Sequence, residues 1–363
     1  MSFLAKPEPR RIIMKLTIDA YGAEENEAIA KTGYAEFAAF SAKTFRDHGF
    51  QTNATEEFEL VRYADSVVGT ELERLSAGHF FRGTPIRTDY SMDEVTMLSK
   101  ISQGVEDITE QMCGHRYGVF FNHLSGVGLF RIIQAISQLI NKESLNIFEV
   151  GPGCGYAGLM MALMGHRYAS YDITQGYYLW QNRLMSHFLG DEFTEFAGGN
   201  EFGRDPAAIS RVSHLPWWQY MRLYRDCPFK ADVIVSNSNL AEMHPWSLKY
   251  VVRLSKMMMA ESDFGMMIFG GVGEEHMSSQ GDVFLHLLEA GYEPLVKEQF
   301  FGFSPEGHKV TPEMIAVLEN DIPNYDSIGM GKSFSAMDFL SFDDEKMTDE
   351  FQFYSFLSDW PKL

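Results

Sequence analysis

A glycine-rich turn, followed at a fixed distance by an acidic residue, is the feature of this sequence that best suggests chemistry. The turn Gly151-Pro152-Gly153-Cys154-Gly155 follows the apolar run from Leu145 to Val150 and precedes a helical pattern. Glycines allow a tight bend and close approach of a ligand to the backbone, and the helix start offers unpaired N–H groups. Asp172 lies 21 residues beyond Gly151, at the end of the next apolar run, where a carboxylate can accept hydrogen bonds from both hydroxyls of a ribose. Together the two features predict a nucleotide-like ligand.

The glycine spacing is compatible with two classes of nucleotide. The stretch Gly153-Cys-Gly-Tyr-Ala-Gly158 satisfies the GxGxxG pattern of dinucleotide binders. Because the strand is predicted to end at Val150, the turn begins at Gly151, and counted from there the third glycine, Gly155, breaks that pattern. Glu149 lies just before the turn, where its carboxylate would oppose a pyrophosphate but suit a ligand with an ammonium and a sulfonium. The register therefore favours S-adenosylmethionine (SAM) over a nicotinamide dinucleotide.

The same residues resemble the first two motifs of the class I SAM-dependent methyltransferases. Glu149-Val-Gly151-Pro-Gly153-Cys-Gly155 and Asp172 carry this resemblance, which covers roughly residues 129–342. It implies an α/β fold with a Rossmann-like, seven-stranded, mostly parallel sheet, helices on both faces and an antiparallel last strand. It also implies SAM as the cofactor, with Asp172 on the ribose. The residues implied around the methionine moiety are Glu149, Gly151, Pro152, Gly153, Gly155 and Tyr156.

A second resemblance concerns the stretch from Asp232 to Met243, which is similar to the fourth-strand motif of the sugar O-methyltransferases. Its polar cluster, Ser236-Asn-Ser-Asn239, departs from that family's pattern. The resemblance therefore supports a sugar substrate less strongly than it supports SAM as the cofactor. The resemblance implies that Asn237 reaches the methionine part of SAM. It also implies adenine contacts after the third strand, in the stretch from Phe193 to Glu201, where Asn200 or Glu201 could bond the exocyclic amine.

Methyl transfer to an alcohol requires alignment of the acceptor and a group that takes its proton. His244 is the candidate base, because it lies where the fourth strand leads into its helix, at the sheet edge where ligands bind in this fold. An alternative is that His244 only bonds the backbone at the start of that helix. Glu242 is expected to orient the imidazole, ligate a metal or bind a substrate hydroxyl. No metal site is predicted, since the His, Asp and Glu residues lack recognisable ligand spacing.

Two further stretches could contribute to the site. In His214-Leu-Pro-Trp-Trp218, adjacent indoles could stack on a sugar or on adenine, although packing in the core is the alternative. The segment from Gly118 to Gly128, with Asn122 and His123, could fold over the site as a lid.

From Leu145 onward, predicted strands alternate with predicted helices, and these elements must position the site residues. This alternation predicts a mostly parallel sheet with helices on both faces. Upstream, the patterns from Glu24 to Gln111 predict helices, including Glu27 to Arg46 and Thr55 to Ala77. A further helix is predicted from Leu129 to Ile140, where the apolar residues form one face. We therefore expect a helical cap over residues 1–125 and the methyltransferase domain over 126–363. Strands are expected at Leu145–Val150, Tyr168–Asp172, Asp232–Ser236, Phe264–Phe269, Pro294–Phe303 and Ser333–Phe342. Helices are expected at Leu159–Met164, Thr174–Phe188, Pro245–Met259 and Val283–Ala290.

Composition excludes several classes of protein and partner. The 363 residues include 30 Lys and Arg against 50 Asp and Glu, a net charge of −20 that would repel nucleic acids and anionic lipid surfaces. Three separated cysteines provide no disulfide framework, and neither a signal peptide nor a membrane span is recognised. We expect a soluble cytoplasmic protein whose partner is a small-molecule methyl acceptor, not nucleic acid or a membrane. The sequence leaves a homodimer open.

The function expected from these features is SAM-dependent O-methylation of a small polar metabolite, such as a sugar or a sugar-bearing compound. Three alternatives stay open at this point. They are methylation of an amine or a carboxylate, a nicotinamide-dependent oxidoreductase, and a non-catalytic methyltransferase-like protein that binds a partner.

Overall fold

The computed structural model describes residues 16–32, 53–64, 91–117, 122–198, 202, 210–225, 227–237, 239–270, 280–297 and 300–305. Its strands are β1 (Asn146–Val150), β2 (Arg167–Asp172), β3 (Phe193–Glu195), β4 (Val212–Pro216), β5 (Val233–Asn237), β6 (Met266–Gly270), β7 (Tyr292–Lys297) and β8 (Phe300–Pro305). Its α-helices are α1 (Ile18–Thr32), α2 (Val61–Ala64), α3 (Met92–Cys113), α4 (Asn122–Leu139), α5 (Tyr156–Leu163), α6 (Gln175–Leu189), α7 (Trp217–Tyr220), α8 (Pro245–Met259) and α9 (Gln280–Glu289). Short 3-10 turns occur at Glu57–Leu60, Gly190–Glu192 and Leu240–Glu242.

The eight strands form one sheet in the order β3-β4-β2-β1-β5-β6-β8-β7. The six strands from β3 to β6 pair in parallel with their neighbours, whereas β8 is antiparallel to both β6 and β7. Strands β1 and β5 are central and buried, which is why they consist largely of Ile, Val and Phe. The predicted α/β class with a mostly parallel sheet is confirmed.

The structure differs from the expected seven strands in two places. The short strand β3 adds an edge beside β4, which gives eight strands in the described residues. The run from Pro294 to Phe303, predicted as one strand, is divided between the antiparallel partners β7 and β8. The other late strand expected, Ser333–Phe342, lies outside the described residues.

The described N-terminal helices pack against α6. Tyr21 of α1 contacts the rings of Tyr178 and Trp218, with centroids 5.2 and 5.1 Å away, and Tyr63 of α2 lies edge-on to Tyr177. Helix α1 overlaps the helix predicted from Glu27, and the Glu57–Leu60 turn with α2 occupies part of the helix predicted from Thr55. The division into a cap and a catalytic domain at residue 125 remains a prediction. None of the described helices is long and apolar enough to cross a lipid bilayer.

Candidate functional site

The predicted glycine turn joins β1 to α5 at the carboxyl end of the sheet. Gly151, Gly153 and Gly155 have φ angles of 63°, 56° and 78°, in the left-handed region that glycine adopts without strain. At Gly151 a Cβ atom would lie only 2.3 Å from the Asn239 side-chain nitrogen, so no larger residue fits there. The tight turn is held by a hydrogen bond from Gly155 N to Pro152 O (2.9 Å). The tight bend expected of these glycines is thus confirmed by the backbone geometry, whereas the approach of a ligand to the turn remains a prediction.

Asp172 ends β2 directly beside this turn. Its Oδ1 accepts hydrogen bonds from the backbone nitrogen and the hydroxyl of Thr174 (3.0 and 3.1 Å), and its Oδ2 accepts one from Gln181 Nε2 (3.1 Å). Burial raises the pKa of Asp172 to about 6, and the donors from Thr174, Gln181 and the Gly153 backbone limit that rise. Asp172 is therefore a fixed, ionisable carboxylate at the predicted ribose position.

A cleft opens between the turn and the residues that follow β5. It contains about 330 Å³ of empty space, part of which is open to solvent. The lining residues are Gly151, Tyr171, Asp172, Ile173, Asn239, Glu242 and Met243. Two strand ends, β2 and β5, thus bring the predicted ribose carboxylate and the predicted catalytic Glu242 to one cleft, as expected of parallel strands.

Glu242 presents a second carboxylate to this cleft. Burial raises its pKa to about 8, and the negative charge of Asp172 adds to that effect. Asn239, one turn earlier, lies against Gly151, and its buried Oδ1 has no hydrogen-bond partner among the described residues. Within the described part of the chain, this side of the cleft therefore holds side-chain oxygens that receive no hydrogen bond.

Glu149 lies below the turn and does not belong to the described lining of the cleft. Its Oε2 accepts a hydrogen bond from the Tyr168 hydroxyl (2.5 Å), and the carboxylate sits under Gly158 of α5. Burial raises its pKa to about 7, the bond from Tyr168 opposes that rise, and the charge of Asp172 adds to it. Glu149 thus adds negative charge behind the turn, and its direct contact with a cofactor remains a prediction.

His244 caps the N-terminus of α8. Its Nδ1 accepts a hydrogen bond from Trp246 N (3.3 Å), and Pro245 is the first helical residue. This places the proton of a neutral ring on Nε2, so the ring would have to leave the cap before Nδ1 could take a proton from an acceptor. The geometry matches the backbone-bonding alternative, and a catalytic role for His244 remains a prediction.

The remaining predicted residues lie in several places. Tyr156, at the start of α5, donates a hydrogen bond from its hydroxyl to Ala64 O (2.7 Å) and so ties the turn to α2. Asn237 ends β5 beside the cleft residues in sequence, and its side chain lies outside the described part. Asn200 and Glu201 also lie outside the described residues, as does part of the 118–128 segment.

The strand order determines which segment leaves the sheet beside Asp172, whereas the adenine contacts expected at Asn200 or Glu201 remain a prediction. The strand beside β2 is β4, whose Pro216 pairs with Asp172, whereas β3 lies one strand farther out. The chain that leaves the sheet next to Asp172 is therefore Trp217–Tyr220, not the residues after Glu195. Trp217 is fully buried and donates a hydrogen bond to Glu25 (2.8 Å), and Trp218 packs on Tyr21, which supports the packing interpretation of this pair.

The residues that connect the two halves of the site are ones that the sequence did not predict. Gln181 of α6 donates both to Asp172 and to the Gly153 carbonyl oxygen (2.6 Å), and Trp180 donates to the Cys154 carbonyl oxygen (3.2 Å). Neither residue belongs to a recognisable motif. The only sequence signal is that both belong to the helix that follows Asp172.

The electrostatics of the cleft favour a cation. Two carboxyl groups with raised pKa values, Asp172 and Glu242, line it, a third, Glu149, lies behind the glycine turn, and no Lys or Arg is among the described residues that line it. Within the described ranges, no three His, Cys, Asp or Glu side chains converge as a metal site requires. An organic cation that donates hydrogen bonds is the ligand that this arrangement accommodates best.

No protein-family model matches the sequence, and no curated protein matches it. Similar solved structures include a magnesium protoporphyrin IX methyltransferase from Synechocystis PCC 6803 with bound SAM, at 10% identity over 61% of this chain and 100% of that chain, TM-score 0.33. The N-methyltransferase NodS from Bradyrhizobium japonicum, in complex with S-adenosylhomocysteine (SAH), is 14% identical over 48% of this chain and 83% of that chain, TM-score 0.33. A TehB-like SAM-dependent methyltransferase from Corynebacterium glutamicum is 14% identical over 49% of this chain and 86% of that chain, TM-score 0.35. Because these identities and TM-scores are low, the functional argument rests on the residues of the cleft.

Proposed function

We propose that this protein is a SAM-dependent methyltransferase that acts on a small molecule. The observation that carries the proposal is the cleft itself, where a turn with three left-handed glycines meets the carboxylates of Asp172 and Glu242 without a described basic residue. SAM fits these groups, because its ribose hydroxyls can donate to Asp172 and its ammonium and sulfonium offset the surplus negative charge. The orphaned Oδ1 of Asn239 is an acceptor of the kind that an ammonium requires.

The same charges argue against a nicotinamide dinucleotide. A pyrophosphate at the turn would lie near Asp172, Glu242 and Glu149, and its negative charge would oppose the ionisation of all three carboxyls, whereas the positive charges of SAM would favour it. The oxidoreductase alternative is therefore disfavoured.

When bound, SAM would supply an electrophilic methyl group on a sulfonium. The chain's task is then to hold the acceptor in line with that group, to exclude water, and to accept the acceptor's proton. Glu242 suits the last task, since its pKa of about 8 in the free protein makes its carboxylate a stronger base than an exposed glutamate. We assign the base role to Glu242 ahead of His244, whose Nδ1 is engaged in the helix cap.

We further propose that the acceptor is a neutral hydroxyl compound, such as a sugar or a sugar-bearing metabolite. The side-chain oxygens of Asp172, Asn239 and Glu242 in the described cleft can accept hydrogen bonds, which suits donors such as hydroxyls, and the two carboxyls disfavour a carboxylate or phosphate beside the methyl group. An amine would also fit these acceptors, so N-methylation is the second candidate. The negative net charge of the chain further disfavours a nucleic-acid acceptor.

The proposal is tested by calorimetric titration of the wild-type protein with SAM, SAH and NADH. We expect SAM and SAH to bind with micromolar dissociation constants and NADH to show no saturable binding. Saturable binding of NADH with no binding of SAM would establish the oxidoreductase alternative, and failure of all three ligands would favour the non-catalytic one. The acceptor class is then tested by SAH formation with panels of neutral polyols, amines and carboxylates, among which we expect the polyols to react.

A further inference from the structure

The side chain of Gln181 makes a pair of contacts that the motifs do not account for. It is 1% exposed, and its Nε2 donates one hydrogen bond to the Gly153 carbonyl oxygen (2.6 Å) and one to Asp172 Oδ2 (3.1 Å). Because both partners are acceptors, the atom that faces them must be the amide nitrogen, whose two hydrogens are both used. One buried amide group therefore bridges the two motifs of the cleft.

The stem of the same side chain also supports the turn. A Cβ atom at Gly155 would lie 3.1 Å from Gln181 Cγ, so the turn packs directly on this helix. The neighbouring Trp180 donates to the Cys154 carbonyl oxygen, so two successive residues of α6 hold two successive carbonyls of the turn. Of these two residues Gln181 also reaches Asp172, where its amide adds to the hydrogen bond that the Gly153 backbone donates directly.

We infer that Gln181 is a positioning residue, which fixes the Asp172 carboxylate relative to the glycine turn so that the ribose and methionine parts of the cofactor site form one rigid unit. This inference rests on the proposed function for the identity of the ligand. The hydrogen bonds from Gln181 to Gly153 and Asp172 are independent of that function, because they are present in the protein without a ligand.

The bridge has an electrostatic consequence that a purely structural glutamine would not have. The Gln181 amide stabilises the ionised form of Asp172, so removing it raises the pKa of that carboxyl above about 6. The ribose hydroxyls would donate to the ionised form, so as the pH falls a variant without the amide would lose cofactor affinity at a higher pH than the wild type does. Other titratable groups with an electrostatic effect on Asp172 come from α1, α2, β1, β2 and the turn before α8: Tyr21, Tyr63, Glu149, Tyr168, Tyr171 and Glu242.

Gln175 provides a matched control on the same helix. It is also buried, but its Oε1 accepts a hydrogen bond from Ala54 N (2.8 Å), in the segment that precedes α2. Gln175→Met removes a buried amide of the same kind without removing a donor to Asp172 or to the turn. Of the two substitutions, Gln181→Met removes the hydrogen bonds to Asp172 and Gly153, whereas Gln175→Met leaves them in place.

The experiment combines SAH calorimetry from pH 5.5 to 8.5 with NMR titration of the Asp172 carboxyl in the ligand-free protein, assigned with Asp172→Asn. For Gln181→Met we expect roughly tenfold weaker SAH binding at pH 8 and a higher Asp172 titration midpoint, and for Gln175→Met neither change. Gln181→Asn, which keeps an amide but is one methylene too short to span both acceptors, serves if the Met variant does not fold, and the same upward shift is expected.

An unmoved Asp172 midpoint in the Gln181 variants, or equal effects of the two Met substitutions, would overturn the inference. Absence of SAH binding by the wild type would instead overturn the proposed function. The Asp172 titration would still decide the role of Gln181 in that case, because it needs no ligand.

Discussion

Each side of the cleft carries one carboxyl group, and the two groups differ in their hydrogen bonds and in their pKa values. On the β2 side, Asp172 accepts hydrogen bonds from Thr174 and Gln181, and its pKa is about 6. On the β5 side, Glu242 receives no hydrogen bond from any described residue, and its pKa is about 8. Both carboxyls are largely withdrawn from water, so the difference arises mainly from the donors that the fold places around each.

This difference separates binding from chemistry. A carboxylate that is already ionised and held by three donors can recognise a ribose without reorganisation, whereas one without donors has a high proton affinity and can accept a proton near neutral pH. The contrast predicts that substitutions on the two sides will affect different measurements.

Glu242→Gln should reduce methyl transfer by about 100-fold or more, because it removes the proposed proton acceptor while keeping the size of the side chain. The rate of SAH formation with the best acceptor measures this effect. Glu261→Gln, at an exposed glutamate after α8, is the control and should leave the rate unchanged. A Glu242→Gln variant with more than half of the wild-type rate would remove Glu242 as the base.

Asp172→Asn should weaken SAH binding by roughly 30- to 100-fold, because the two ribose hydroxyls lose a charged acceptor. Each hydrogen bond to a charged group contributes about 1.5–3 kcal/mol at most. Calorimetry at pH 8 measures the affinity. Asp191→Asn, at an exposed aspartate beyond α6, is the control. Equal affinities for all three proteins would show that Asp172 does not hold the ribose.

The free protein should lose stability as the pH rises from about 4.5 to about 8. Asp172, Glu149 and Glu242 have pKa values of about 6, 7 and 8 when folded, above the ordinary values of 3.8 and 4.5, so the folded state binds protons more tightly than the unfolded state. Their contribution is fully present below the unfolded values and is lost through this range, by at most about 10 kcal/mol in total.

Thermal unfolding across this pH range measures the loss. Glu242→Gln should flatten the dependence between pH 6 and pH 8, and SAM should raise the melting temperature more at pH 8 than at pH 6. The explanation would be contradicted by a wild-type protein and a Glu242→Gln variant whose melting temperatures change in parallel with pH.

His244→Asn should change turnover by less than about threefold, because asparagine caps a helix well and replaces the bond to Trp246 N. His244→Ala should lower the free energy of unfolding by about 1 kcal/mol, as loss of an N-cap usually does. A loss of turnover of 100-fold or more in a stable His244→Asn variant would restore His244 as the base.

Much of the fold could be predicted from the periodicity of apolar residues and from the Gly and Pro residues that end helices and strands. Helix α8 begins at Pro245 and ends at Met259 as expected, and β1 and β2 begin within a residue of their predicted positions. These elements combine long apolar patterns with clear breakers, which are the signals that local sequence carries well. The glycine turn and Asp172 were identified for the same reason, since each depends on a strand end and a fixed spacing.

The missed features depend on tertiary contacts. Strand β4 contains Ser213, His214 and Pro216, which do not form a strand pattern, and it is stabilised by pairing with β2 and by burial under α6. Gln181 is a polar residue in a helix whose importance arises from two acceptors in other elements. The hydrogen bond of Glu149 with Tyr168 likewise depends on a neighbouring strand, and its contact with a cofactor remains a prediction.

The most direct test of this division of roles is the affinity for SAM and for SAH, measured by calorimetry at pH 8.5, of the wild type, Asp172→Asn and Glu242→Gln. The two ligands differ in the methyl group and in the sulfonium charge. We predict that Asp172→Asn weakens both ligands by the same factor, whereas Glu242→Gln weakens SAM about tenfold and leaves SAH within about threefold. A SAM-to-SAH affinity ratio that is unchanged in Glu242→Gln, or changed equally by both substitutions, would contradict the account.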